Sequence, residues 1–102
     1  MFLKCIASGS SGNAYALIGE EEILLLECGM PLKEVKKAID YQILKIKGCL
    51  VSHEHQDHLK YVREYLNAGI SVYTNELTKE KIQTKAGDQL YGVSEKKSFR
   101  VG

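Results

Sequence analysis

The run Ile23-Leu24-Leu25-Leu26 is the strongest constraint this sequence places on its fold. An extended strand turns alternate side chains to opposite sides, so four apolar residues in succession leave no polar face. Such a strand needs cover both above and below. Cys49-Leu50-Val51 makes the same demand. Two strands of this kind predict a sheet with a layer packed on each face.

The rest of the chain fits elements around those strands. Residues 2–7 read as a first strand, and Ser8-Gly9-Ser10-Ser11-Gly12 as a turn. Residues 13–19 and 22–27 read as the second and third strands, joined by a hairpin turn at Gly19-Glu20-Glu21. Cys28-Gly29-Met30-Pro31 stops the third strand, and proline suits the first turn of a helix. Leu32, Val35, Lys36 and Ile39 fall at i, i+3, i+4 and i+7, which predicts a short helix over 31–41. Residues 48–52 read as a fourth strand. A helix opening at Asp57 or His58 runs to about Asn67, with Leu59, Val62 and Leu66 on one face. Residues 70–73 read as a fifth strand. Thr74-Asn75 then caps a helix to about Lys85, with Leu77 and Ile82 inward, and 99–101 begin another strand. The pattern is α/β of the α+β kind: a mixed sheet with helices on one face. Nothing in 102 residues supplies the layer for the other face.

A chain of this length fits one domain, 1–102, and buries roughly 60–70% of the surface its unfolded form exposes. Hydrophobic residues are 44% and charged residues 26%, ordinary for a globular domain. The net charge of +1 gives no basic field of the kind that would itself announce nucleic-acid binding. Cys5, Cys28 and Cys49 are odd in number, far apart and without a C-x-x-C, so they predict free thiols and neither a disulfide framework nor a zinc ribbon. No apolar run approaches the ~18 residues of a membrane span, and the first six residues do not make a signal peptide. The expected location is the cytoplasm, with no membrane partner.

All three histidines stand in Ser52-His53-Glu54-His55-Gln56-Asp57-His58. If the extended trace continues past Ser52, His53 and His55 face one side and Glu54 the other. Two imidazoles so placed can grip one metal ion. Asp57 and His58, where the chain turns into a helix, can reach a second ion or close the first shell. Imidazole and carboxylate suit zinc, and also manganese or iron. A helix N-terminus there would favour an anion, either the Asp57 carboxylate or a substrate phosphate.

This heptapeptide resembles the H-x-H-x-D-H signature of the metallo-β-lactamase-fold hydrolases. The preceding stretches agree: S-G-S-S-G-N between the first two strands, L-L-L-E-C-G, a helix, and the strand leading into the motif. The likeness is strongest to bacterial and phage members of exonuclease or phosphodiesterase type. It implies a four-layer αββα sandwich of which this chain is the N-terminal half. It assigns His53 and His55 to one metal position and Asp57 and His58 to a second, with two divalent ions, zinc foremost, in the complete site. It further implies hydrolysis of a phosphodiester or other ester by metal-activated water that Asp57 orients, with nucleic acid or a small phosphodiester as substrate.

Two departures follow from the same likeness. Glu27 stands where the family carries aspartate. The family's further histidines and bridging aspartate have no counterpart after His58, where Asp88 is the only aspartate and no histidine occurs. The expectation is a truncated domain whose bare face is covered by the missing half or by a second copy in a homodimer. The alternative function is then a catalytically incomplete half-domain that self-associates or binds a partner. The serine-rich turn lacks the Gly-Lys-Ser/Thr of a phosphate loop and the G-x-S-x-G of a serine nucleophile. Cys28 and Cys49 are expected to pack, as are Tyr61, Tyr65, Tyr73 and Tyr91.

Overall fold

The computed structural model describes residues 1–9, 12–52, 61–82 and 84–93. The strands are β1 (Phe2–Ala7), β2 (Ala14–Ile18), β3 (Ile23–Leu26), β4 (Ile46–Leu50), β5 (Val72–Asn75) and β6 (Leu90–Val93). The helices are α1 (Leu32–Ala38), α2 (Val62–Asn67) and α3 (Glu76–Glu80), with a 3-10 turn at Ile43–Lys45. One six-stranded sheet carries the strands in chain order, β1 to β6. β1, β2 and β3 pair antiparallel, and β3 to β6 pair parallel.

The register divides the side chains into two faces. Ala16, Leu25, Cys49, Val72 and Leu90 are successive partners across five strands and are all buried. They form one core with Leu32, Val35 and Ile39 from the α1 region and Tyr65 and Leu66 of α2. The opposite face carries Cys5, Tyr15, Leu26, Leu50, Tyr73 and Tyr91, again partners in register. Leu3, Leu17 and Leu24 make a second apolar row beside them. Tyr15, Leu17, Leu24, Leu26, Leu50 and Tyr73 are only half-buried, and Tyr91 is exposed. The parallel strands advance in one direction, and crossovers of a single hand then bring the connecting helices to the same side. The expected one-sided helical layer is therefore what forms, and the second apolar face lies open among the described residues.

Local chemistry moves several boundaries. β4 starts at Ile46, two residues before the predicted Gly48, and β5 is Val72–Asn75 where 70–73 were expected. The first helix stops at Ala38 because Asp40 and Tyr41 both turn to positive φ, 55° and 58°. The third helix ends at Glu80, short of Lys85. The residue it turns inward is Thr78, whereas Leu77, expected inward, is 70% exposed. Asn75 caps this helix as predicted, its side chain accepting from the Thr78 amide at 2.7 Å. β6 was not evident from the sequence. It contains Gly92, which lies beside the carboxylate of the exposed Glu76, and a glycine inside so short a run hides the strand pattern. The start of the second helix and the strand expected at 99–101 lie outside the described residues.

Candidate metal centre

Parallel strands place the carboxyl ends of β3, β4, β5 and β6 at one edge of the sheet. The turn from β1 to β2 opens at the same edge, since Tyr15 pairs with Leu26. Gly12 adopts a φ of 144° there, and a Cβ on it would strike the Gly29 carbonyl. Only glycine fits both the conformation and the approach. The Gly29 amide in turn donates to the Asn13 carbonyl at 2.9 Å, which seats the serine-rich turn on the turn that follows β3.

That second turn, residues 27–31, is the organising feature of the edge. Glu27 has a φ of 67°, a left-handed conformation that costs a residue with a Cβ roughly 1–2 kcal/mol. The backbone is held there from β4: the Glu27 amide donates to the Leu50 carbonyl at 2.7 Å, and the Cys49 thiol donates to the Glu27 carbonyl at 3.6 Å. The side chain is 8% exposed. Its carboxylate accepts the Ser52 amide at 3.1 and 3.3 Å and also the Ser52 hydroxyl. A buried carboxylate needs such donors to offset its lost hydration. Farther along, the Cys28 carbonyl accepts the Tyr61 amide at 3.2 Å, and the Met30 carbonyl accepts the Tyr65 hydroxyl at 2.8 Å. The Leu32 amide at the start of α1 donates to the Glu64 carboxylate at 3.0 Å.

His53, His55, Asp57 and His58 lie outside the described residues. Among the described residues no group of three or more histidine, cysteine, aspartate or glutamate side chains could hold a metal ion. What the structure fixes is the frame. Ser52 immediately precedes the segment and is bound to Glu27; Tyr61 immediately follows it and is bound to Cys28. Both ends of residues 53–60 are thus tied to one short turn. The donor set, three imidazoles and a carboxylate, is chemistry that a borderline divalent ion accepts. The framing partners Ser52, Tyr61, Glu64 and Tyr65 escaped the sequence reading. Their bonds reach backbone groups or a side chain of a distant turn, and no spacing in the sequence marks those.

The cysteines near this edge are not poised for chemistry. Burial pushes the Cys28 thiol up to about 12, with the Glu27 charge adding to it. Burial, then the neighbouring Cys28 and Glu27, raises Cys49 well above its ordinary value. Both stay protonated at neutral pH, in keeping with their predicted packing role, and thiolate is the form that binds metal or attacks. Burial likewise raises the Tyr65 phenol.

Comparison with known proteins agrees with this architecture. Residues 7–96 match the Metallo-beta-lactamase superfamily. The chain is 33% identical over 112 aligned positions to a protein named exodeoxyribonuclease YycJ from Bacillus anthracis, covering 97% of this chain and 41% of that protein. It is 30% identical over 104 positions to exodeoxyribonuclease WalJ of Streptococcus pneumoniae, covering 95% and 38%. Among solved structures, the metallo-beta-lactamase fold protein YhfI from Bacillus subtilis superimposes with a TM-score of 0.73 at 17% identity, over 98% of this chain and 48% of that one. The chain thus spans about two fifths of the length of the curated relatives it matches. A match over most of the sequence, together with the sheet and its helical layer, places this chain in the metallo-β-lactamase superfamily.

Proposed function

We propose that this chain carries the first ligand segment of a metal-dependent hydrolase that cleaves phosphodiester bonds in nucleic acid. The observation carrying the proposal is how the described residues Ser52 and Tyr61, on either side of 53–60, are held. Ser52 stands just past the carboxyl end of the parallel strand β4, where open α/β sheets bind their ligands, and Ser52 and Tyr61 are both bonded to the turn at Glu27-Cys28. The names of the relatives, exodeoxyribonucleases, support DNA as the substrate class.

His53, His55, Asp57 and His58 would hold divalent metal, zinc foremost. Bound metal lowers the pKa of a coordinated water enough to supply hydroxide near neutral pH. The chain's own residues then divide the remaining work. Neutral imidazoles at 53, 55 and 58 donate lone pairs. The Asp57 carboxylate would accept a hydrogen bond from the attacking water and so orient it for attack. Ser52 and Tyr61, anchored outside the ligand set, hold the segment's ends so that its donors need little reorganisation on binding.

The test is zinc content after purification without chelator, together with hydrolysis of end-labelled single- and double-stranded DNA. Bound zinc and DNA hydrolysis, both lost in His55→Ala, are the expected result. Zinc binding without hydrolysis of either DNA would overturn the substrate class, and a protein that takes up no metal would overturn the site.

The open apolar sheet face favours a second reading, in which the chain acts through association. The relatives carry more than half their length outside the matched region. We propose that a second apolar sheet from such a segment, on the same polypeptide or a separate one, packs on this face. A second copy of the chain in that place would show as a homodimer in light scattering.

A further inference from the structure

We infer that Glu27 and Ser52 form a length-matched positioning pair that sets where the proposed metal-binding segment leaves the sheet, so that aspartate at position 27 cannot take over the role. The inference rests on the metal-site reading given above and adds to it a residue that touches neither metal nor substrate.

The geometry supports a pair and not an incidental contact. Glu27 engages Ser52 through both carboxylate oxygens, one at 3.1 Å from the amide and the other at 3.3 Å, and the second also takes the hydroxyl. Its own backbone has no slack with which to follow a shorter side chain. The amide is bonded to Leu50, the carbonyl to the Cys49 thiol, and φ is held at 67°. Cys28 and Gly29 next to it are fixed as well, to Tyr61 and Asn13. An aspartate on this backbone would fall short by about one carbon–carbon bond, roughly 1.5 Å. The Ser52 amide and hydroxyl would then both be left beyond the reach of the carboxylate at a part-buried contact. Because Ser52 precedes His53 directly, the loss falls on the first residue of the ligand segment. The far end stays tied through the Tyr61 amide and the Cys28 carbonyl, groups that side-chain substitution at 27 does not remove.

Four proteins decide the matter: wild type, Glu27→Asp, Ser52→Ala and the double variant. Zinc affinity is read by competition with a chromophoric chelator. Amide hydrogen exchange is followed over residues 52–60 in the metal-free state, and the thermal midpoint of the metal-free proteins serves as the folding control. Glu27→Asp and Ser52→Ala should each weaken zinc about 10-fold or more, the range for groups that support ligands from outside the metal shell. The double variant should be no weaker than the worse single variant, because the hydroxyl contact that Ser52→Ala removes is one of those Glu27→Asp already breaks. Exchange over 52–60 should rise in all three. Glu27→Asp with wild-type zinc affinity and unchanged exchange would overturn the inference, and so would two effects that multiply. If Glu27→Asp lowers the thermal midpoint enough to unfold at the assay temperature, Ser52→Ala carries the comparison. A wild type that binds no zinc defeats the metal-site reading separately. Exchange in the metal-free proteins then decides the positioning role, which stands if Glu27→Asp loosens 52–60 and falls if it does not.

Discussion

At the scale of single residues, the edge that frames the motif includes several buried groups, Cys28, Cys49 and Tyr65 among them, with measurable consequences. Tyr65 is fully buried, with its hydroxyl on the Met30 carbonyl at 2.8 Å. Tyr65→Phe keeps the ring and removes the donor, leaving that carbonyl short of a partner. The expected loss is about 1–2 kcal/mol of unfolding free energy, read as a lower denaturant midpoint with little change in the slope. The thiols make a second case. Cys5 is exposed, whereas Cys28 and Cys49 are buried. A thiol reagent at pH 8 should therefore modify one group per native chain and three per denatured chain. The same burial makes the fold sensitive to base. Cys28 ionises at about 12 in the folded state against 9.0 for an ordinary thiol, so the unfolded chain releases its proton first as pH rises. Stability from this group is complete below pH 9 and is lost as pH climbs towards 12. Cys28→Ala should flatten that alkaline limb in a pH series of melting temperatures, even if the neutral value drops.

At the scale of elements, what was legible depended on whether a signal was local. The spacing of Leu32, Val35 and Ile39 marks α1 because amphipathic periodicity is a property of a few adjacent turns, and all three are buried. The apolar run of β3 and the H-x-H-x-D-H segment are equally local. β6 was not legible: its pairing partners lie on β5, about eighteen positions earlier in the chain, and a glycine between Tyr91 and Val93 hides the strand in the local pattern. The frame of the site was illegible for the same reason, since the bonds from Ser52 and Tyr61 end on residues 25 and 33 positions away. The α3 helix shows how close the local signal came. Asn75 was visible as its cap, yet the inward position belongs to Thr78, whose hydroxyl is buried with no hydrogen-bond partner among the described residues. Thr78→Val keeps the shape and removes that unmatched group, so it should raise stability by about 1 kcal/mol in chemical denaturation. Asn75→Ala should act in the opposite sense, costing about 1 kcal/mol through the lost cap.

At the scale of the whole molecule, the sheet has one face that folding satisfies and one that it leaves open. Ala16, Leu25, Cys49, Val72 and Leu90 are shut in under the helices, while their neighbours in sequence, Leu17, Leu24, Leu26, Leu50 and Tyr73, stay half-buried on the other side. The demand first read in Ile23-Leu24-Leu25-Leu26, cover above and below, is thus met on one side only by the described residues. Water in contact with a continuous apolar sheet is unfavourable by roughly 25 cal/mol per Å² of apolar area, a driving force for whatever apolar layer can reach it. The chain alone should therefore bind a hydrophobic dye such as ANS and associate as concentration rises. Leu24→Thr with Leu50→Thr tests the cause at the face itself, because threonine keeps the strand preference and removes much of the apolar surface. The variant should show weaker dye fluorescence and less association in light scattering, with its far-UV circular dichroism unchanged. Adding, as a separate polypeptide, the part of the Bacillus anthracis relative that lies outside the matched region should quench dye binding to the wild-type chain and do so less to the variant. A wild-type chain that is monomeric at all concentrations and silent to the dye would show that this face draws no second layer, and the association reading would fall with it.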